Sequence, residues 1–115
     1  FEYVFAIRKS NHFVGLIGFK DTDKVNRKTE IGYWLSEENQ KQGIVTRSVG
    51  KLCDFAFQEL GINRIQIKCA VDNRASSNIP KKLGFSFEGI ERQGELLTEG
   101  YYTDLEIYSK LKSDL

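Results

Sequence analysis

Aromatic and aliphatic residues alternate with other side chains over residues 3–7, Asn11 and His12 supply a turn, and residues 13–19 resume the apolar run, so the chain opens as a β-hairpin. Gly15 and Gly18 fall inside the second strand, as a bulge, a close backbone approach or tolerated glycines of an edge strand. Polar residues 21–28 form the next turn, and the run Thr-Glu-Ile-Gly-Tyr-Trp-Leu at 29–35 predicts a third strand. The period then changes. Val45, Val49, Leu52, Ala56 and Leu60 recur at helical spacing, the stripe of an amphipathic helix lying on a sheet, with Gly61 as its C-cap.

Alternation returns with Ile65, Ile67 and Cys69 in a strand, and Asn73 is placed to cap a short helix that ends at Gly84 and that Pro80 should bend or shorten. Strands over 85–90 and 102–111 close the chain, flanking a loop at 93–100 rich in glycine and glutamate. The order β-β-β-α-β-α-β-β predicts an α+β domain: a mixed, mostly antiparallel sheet with flanking helices and one crossover unit.

With 115 residues, the pattern is expected to make one domain spanning 1–115. Hydrophobic residues at 40% and aromatic residues at 12% supply a core and exclude a disordered chain. Seventeen basic residues against sixteen acidic ones give no broad electrostatic footprint for nucleic acid or for an anionic membrane, so any anion site must be local. Cys53 and Cys69 have no CxxC spacing and His12 cannot complete a metal set with them, so both read as buried free thiols and no metal is expected. No apolar stretch approaches a membrane span, which makes a cytoplasmic setting the expectation. The chain begins at Phe1 inside a strand-like run, as though an N-terminal segment preceded it.

Chemistry concentrates where the third strand meets the long helix. The run Gln40-Lys41-Gln42-Gly43-Ile44-Val45-Thr46-Arg47 is polar and holds one glycine at the helix start. First-turn N–H groups lack intrahelical acceptors and carry the positive end of the helix dipole, so a pyrophosphate can be held there mostly by main chain. Gly43 removes the Cβ that would block approach, and Lys41 and Arg47 could add charge. An ordinary polar helix start fits the same letters. No Gly-Lys-Ser/Thr follows, so this is not a P-loop.

The Gln-x-x-Gly-x-Val run behind a Glu-Ile-Gly-Tyr-Trp-Leu strand resembles the acetyl-CoA motif of the GNAT superfamily of N-acetyltransferases. Asp72-Asn73-Arg74-Ala75-Ser76, Lys82-Leu83-Gly84-Phe85 and Phe87-Glu88-Gly89 resemble later segments of the same fold in the same order, and the subgroup most similar is the RimJ/RimL type, which acetylates N-termini of ribosomal proteins. The resemblance implies a GNAT fold without its N-terminal strand and first helices, binding acetyl-CoA as cosubstrate through Trp34, Leu35, Gln40, Lys41, Gln42, Gly43, Ile44, Val45, Thr46, Asn73 and Ser76. It also implies a strand pair that splays between Trp34 and Ile67 to expose backbone groups to the pantetheine arm.

Two departures stand out. Val45 replaces the family's usual Gly or Ala, narrowing the room beside the phosphates, and Pro80 replaces a tyrosine that many members use as the acid for the departing thiolate. That acid must come from elsewhere. The RimL type implies Ser76 as acid or hydrogen-bond donor to sulfur and Glu95 as general base. From the residues themselves, Glu95 reads as a base shielded by apolar Leu96 and Leu97 or as a solvated charge, Ser76 as a donor or a helix-capping residue, and Glu30 as a second base candidate if Glu95 points outward. The expected reaction is direct acetyl transfer to an amine, the α-amine of a protein N-terminus. A member acetylating a small amine such as a polyamine or antibiotic, or a non-catalytic CoA-binding module, fits the same residues. Neither nucleic acid nor membrane is expected as a partner, and exposed strand edges could pair copies into a homo-oligomer.

Overall fold

The computed structural model describes residues 2–36 and 43–115. One mixed sheet of six strands in the order β1-β2-β3-β4-β6-β5 carries the chain. Its strands are β1 (Tyr3–Lys9), β2 (His12–Asp23), β3 (Lys28–Leu35), β4 (Arg64–Ala70), β5 (Ser86–Leu96) and β6 (Tyr102–Leu111), and the helices are α1 (Ile44–Gln58) after β3 and α2 (Arg74–Lys82) after β4. Neighbouring strands are antiparallel except β3 and β4, which run parallel because α1 carries the chain back across the sheet between them.

Both helices lie over one face. Val45, Val49, Cys53, Ala56 and Phe57 of α1 meet Ile17, Phe19, Ile31, Ile65 and Ile67 of the strands in a continuous buried cluster. The helical stripe is as expected up to Ala56, but Leu60 lies beyond the helix and half exposed. The cap residue is Glu59, and Gly61 follows in the left-handed region (φ 68°), turning the chain so that the Ile62 N–H donates to the Ala56 carbonyl at 3.0 Å.

Three other expectations shift. β2 runs past residue 19 to Asp23, and the turn is confined to residues 24–27, where Asp23 Oδ1 accepts from the Val25 and Asn26 N–H groups at 3.0 and 2.9 Å. A bulge falls beside Gly15, where Ile7 pairs with Gly15 and Arg8 with Phe13 and leaves Val14 as the extra residue, whereas Gly18 pairs regularly with Val4 and Gly32 in a strand that is not at the edge. The expected loop at 93–100 is mostly strand, since β5 continues to Leu96. A second bulge between Glu91 and Glu95 absorbs the irregularity, with Gln93 at φ 50° donating its N–H to Asp104 Oδ1 at 2.8 Å.

On the face away from the helices, Arg64 of β4 donates to both Glu88 oxygens of β5 at 2.8 and 2.6 Å, and Ser109 of β6 adds a 2.7 Å bond, fastening three strands. The Arg64 bond, helped by Ser109, holds the Glu88 carboxyl down from 4.5 to about 2. A carboxylate whose folded pKa is depressed adds stability above its unfolded pKa and loses it as pH falls through the folded one. The chain is therefore expected to lose stability between about pH 4.5 and pH 2 in a step that Glu88→Gln removes, read by urea melts across that range.

Candidate active site

β3 and β4 meet only at Lys28–Arg64, Thr29–Ile65 and Glu30–Gln66. Beyond these pairs β3 stays with β2 as far as Leu35, and β4 stays with β6 as far as Ala70. The two facing edges thus part from Ile31 and Ile67 onward, leaving a wedge with backbone groups along both sides. This is the splay the resemblance implies, and it starts at the third pair.

The start of α1 lies at the helix-bearing side of the wedge. Gly43 is its N-cap in the left-handed region (φ 70°), and glycine has no side chain to cap the N–H groups of Ile44, Val45 and Thr46. No acidic residue stands in that first turn. A Cβ built on Gly43 would stand 3.6 Å from Arg47 Nη1, so the guanidinium lies over the helix start. Val45 does not crowd this point as expected: at 2% exposure its side chain is in the core, and only its backbone is left for a ligand. Gln40, Lys41 and Gln42 lie outside the described residues.

Across the wedge, Asn73 caps α2, its Oδ1 accepting from the Ser76 N–H at 3.0 Å. Ser76 is half-buried, and its hydroxyl has only long contacts, 3.4 Å to the Tyr33 oxygen and 3.5 Å to Cys69 Sγ. Tyr33 was not among the expected site residues. Its hydroxyl donates to the Ser76 carbonyl at 2.8 Å, and burial pushes its pKa far above the ordinary tyrosine range, so it stays protonated. Burial also raises both thiols, Cys53 to about 12. Both are free and buried, as expected.

A cleft of about 300 Å³ opens along the wedge and brings Ser76, Tyr33, Glu30 and Glu95 to one space. Glu30, nearly buried, is held by Lys20 at 3.2 Å, and Lys68 on the same wall pairs with Glu91 at 3.0 Å. Glu95 reaches the cleft from strand β5, opposite Thr103, instead of from a loop. The bulge is what brings it there, and Gly94 is needed beside it, because a Cβ would come within 2.8 Å of Leu105 Cδ1. Leu96 and Leu97, expected to shield Glu95, are themselves exposed, as is Glu95. Trp34 points away from this cleft's helix side and stacks on Phe13 with ring centroids 6.1 Å apart. Among the described residues no group of three or more His, Cys, Asp or Glu could hold a metal ion, and no helix is long and apolar enough to cross a membrane.

A sheet wedged open beside a helix start whose Gly43 cap offers no side chain, with a hydroxyl and carboxylates lining one cleft, has the shape of a site for an extended anionic ligand. Comparison with known proteins gives that site its family. The model of the acetyltransferase (GNAT) domain matches residues 1–86, and the chain belongs to this family. It is 44% identical over 100 residues to the putative ribosomal N-acetyltransferase YdaF of Bacillus subtilis (strain 168), covering 87% of this chain and 54% of that protein. It is 35% identical over 108 residues to the ribosomal-protein-serine acetyltransferase of Escherichia coli (strain K12), covering 94% and 60%. The crystal structure of RimL, a ribosomal alpha-N-protein acetyltransferase, in complex with coenzyme A superposes with a TM-score of 0.87 at 34% identity, over 94% of this chain and 60% of that one. The chain thus spans a little over half the length of the relatives it matches.

Proposed function

We propose that this chain is the acetyl-CoA-binding and catalytic part of an N-acetyltransferase acting on the α-amine of a protein N-terminus, a ribosomal protein being the substrate class its relatives suggest. The observation that carries the reading is the single cleft joining Ser76 on α2 to Glu95 and Glu30 on the other side of the wedge.

The N–H groups of Ile44, Val45 and Thr46, which no side chain among the described residues caps, suit a pyrophosphate with Arg47 above them. The unpaired edges of β3 and β4, from Trp34 and Leu35 inward, together with Asn73, suit the amides of the pantetheine arm. The thioester then lies where the edges converge, beside Ser76. An incoming ammonium must lose a proton to become a nucleophile, and Glu95, like Asp21, is a carboxylate of the cleft without an ion-pair partner among the described residues. The amine nitrogen attacks the acetyl carbon, the carbon–sulfur bond breaks, and the Ser76 hydroxyl supplies a hydrogen bond or proton to the departing sulfur. This chemistry asks for neither a metal nor a covalent enzyme intermediate.

The relatives, more than the cleft's charge, favour a peptide over a polyamine. Asp21, Glu30 and Glu95 bring three carboxylates, and the lysines on the same walls are already matched, Lys20 by Glu30 and Lys68 by Glu91. Any cationic acceptor finds complementary charge there. Incubating the chain with acetyl-CoA and either a peptide beginning with serine or spermidine, read by mass spectrometry, tests this. Faster acetylation of the peptide α-amine is expected, in line with the ribosomal-protein acetyltransferases among the relatives. A spermidine preference would move the acceptor to small polyamines, and acetyl-CoA binding with turnover of neither would leave a binding module.

A further inference from the structure

Pro80 has no N–H to offer the carbonyl four residues earlier, so the Ser76 carbonyl loses its helical partner inside α2. The Tyr33 hydroxyl takes that place at 2.8 Å, reaching across the wedge from β3. Its one proton is spent on that carbonyl, so toward the Ser76 hydroxyl, 3.4 Å away, it can present only a lone pair. The other neighbour of that hydroxyl is Cys69 Sγ at 3.5 Å, a weak acceptor. The Ser76 proton is therefore aimed but loosely held.

We infer that Tyr33 is a positioning residue: anchored on the carbonyl that Pro80 leaves free, its oxygen fixes the direction of the Ser76 hydroxyl in the wedge, so that the hydroxyl can turn to the leaving sulfur at small cost. Tyr33 touches neither the amine nor the acetyl group in this role and acts through Ser76. The inference rests on the acetyltransferase reading above.

Two substitutions separate positioning from mere satisfaction of a buried carbonyl. Tyr33→Phe removes one oxygen; Pro80→Ala gives α2 back the N–H that the Ser76 carbonyl lacks. For Tyr33→Phe, kcat for peptide acetylation is expected to fall about tenfold, the scale of a misaimed catalytic group, with the calorimetric Kd for acetyl-CoA within about threefold. In the Tyr33→Phe, Pro80→Ala double variant the thermal midpoint is expected to recover while kcat stays low. Recovery of kcat together with the midpoint would overturn the inference, since Tyr33 would then only fill the carbonyl. An unchanged kcat in Tyr33→Phe, or failure of that variant to fold, would overturn it as well. The stoichiometry of acetyl-CoA binding gives the competent fraction by which each kcat is divided. A wild-type chain that neither binds acetyl-CoA nor turns over would instead fail the acetyltransferase reading itself, before any variant is compared.

Discussion

Glu95→Gln is expected to lower kcat for acetyl transfer by about 100- to 10,000-fold, the usual contribution of a general base, while leaving acetyl-CoA affinity unchanged. The amide keeps the shape of the side chain and its place opposite Thr103 on β5, so fold and cofactor site are untouched. What is lost is the ability to take a proton from an incoming ammonium. Glu30→Gln is the comparison that gives the result meaning. Glu30 is buried and tied through one oxygen to Lys20 at 3.2 Å, which favours its staying a carboxylate, and its removal is expected to cost less than about tenfold. Steady-state kinetics of both variants decide the matter. A Glu30→Gln loss equal to or larger than that of Glu95→Gln would transfer the role to Glu30.

Gly43→Glu is expected to weaken acetyl-CoA binding by at least about 100-fold, or ~2.7 kcal/mol. Two effects add. At φ 70° a side chain imposes roughly 1–2 kcal/mol of backbone strain on the cap of α1. The new carboxylate then stands at the helix start where a pyrophosphate would take the N–H groups, and it captures Arg47, whose Nη1 lies over that point. Gly43→Ala isolates the strain, and calorimetry should show most of its cost in stability and little in affinity. Equal affinity losses for alanine and glutamate would mean that the charge at this position is irrelevant and that the phosphates bind elsewhere.

The strands and helices were legible because their periods differ sharply. Ile65, Ile67 and Cys69 alternate in β4, and Val45, Val49 and Ala56 follow the helix, and all six are buried. The helix starts were legible too, from Gly43 and Asn73, whose chemistry suits no other place so well. Reading failed where a strand is irregular. Gly94 and the left-handed Gln93 look like loop residues, yet a bulge keeps them within β5 and turns Glu95 into the cleft. Val45 does not narrow the space at the helix start, because its side chain turns into the core as the helical stripe it belongs to requires, and a motif position says nothing about which way a side chain points. Tyr33 was missed because it sits in an apolar run that reads as sheet core. The available signal was Pro80, four residues after Ser76, which announces a carbonyl in want of a donor.

The three pairs that join β3 to β4 make the sheet a pair of tongs. One arm is β1, β2 and β3, the other is β4, β6 and β5, and the fulcrum lies at Lys28–Arg64 through Glu30–Gln66. Because α1 packs on strands of both arms, the gap between their tips near Leu35 and Ala70 is held open by the same core that closes the fulcrum, and the cofactor slot is a property of the whole sheet more than of any residue lining it.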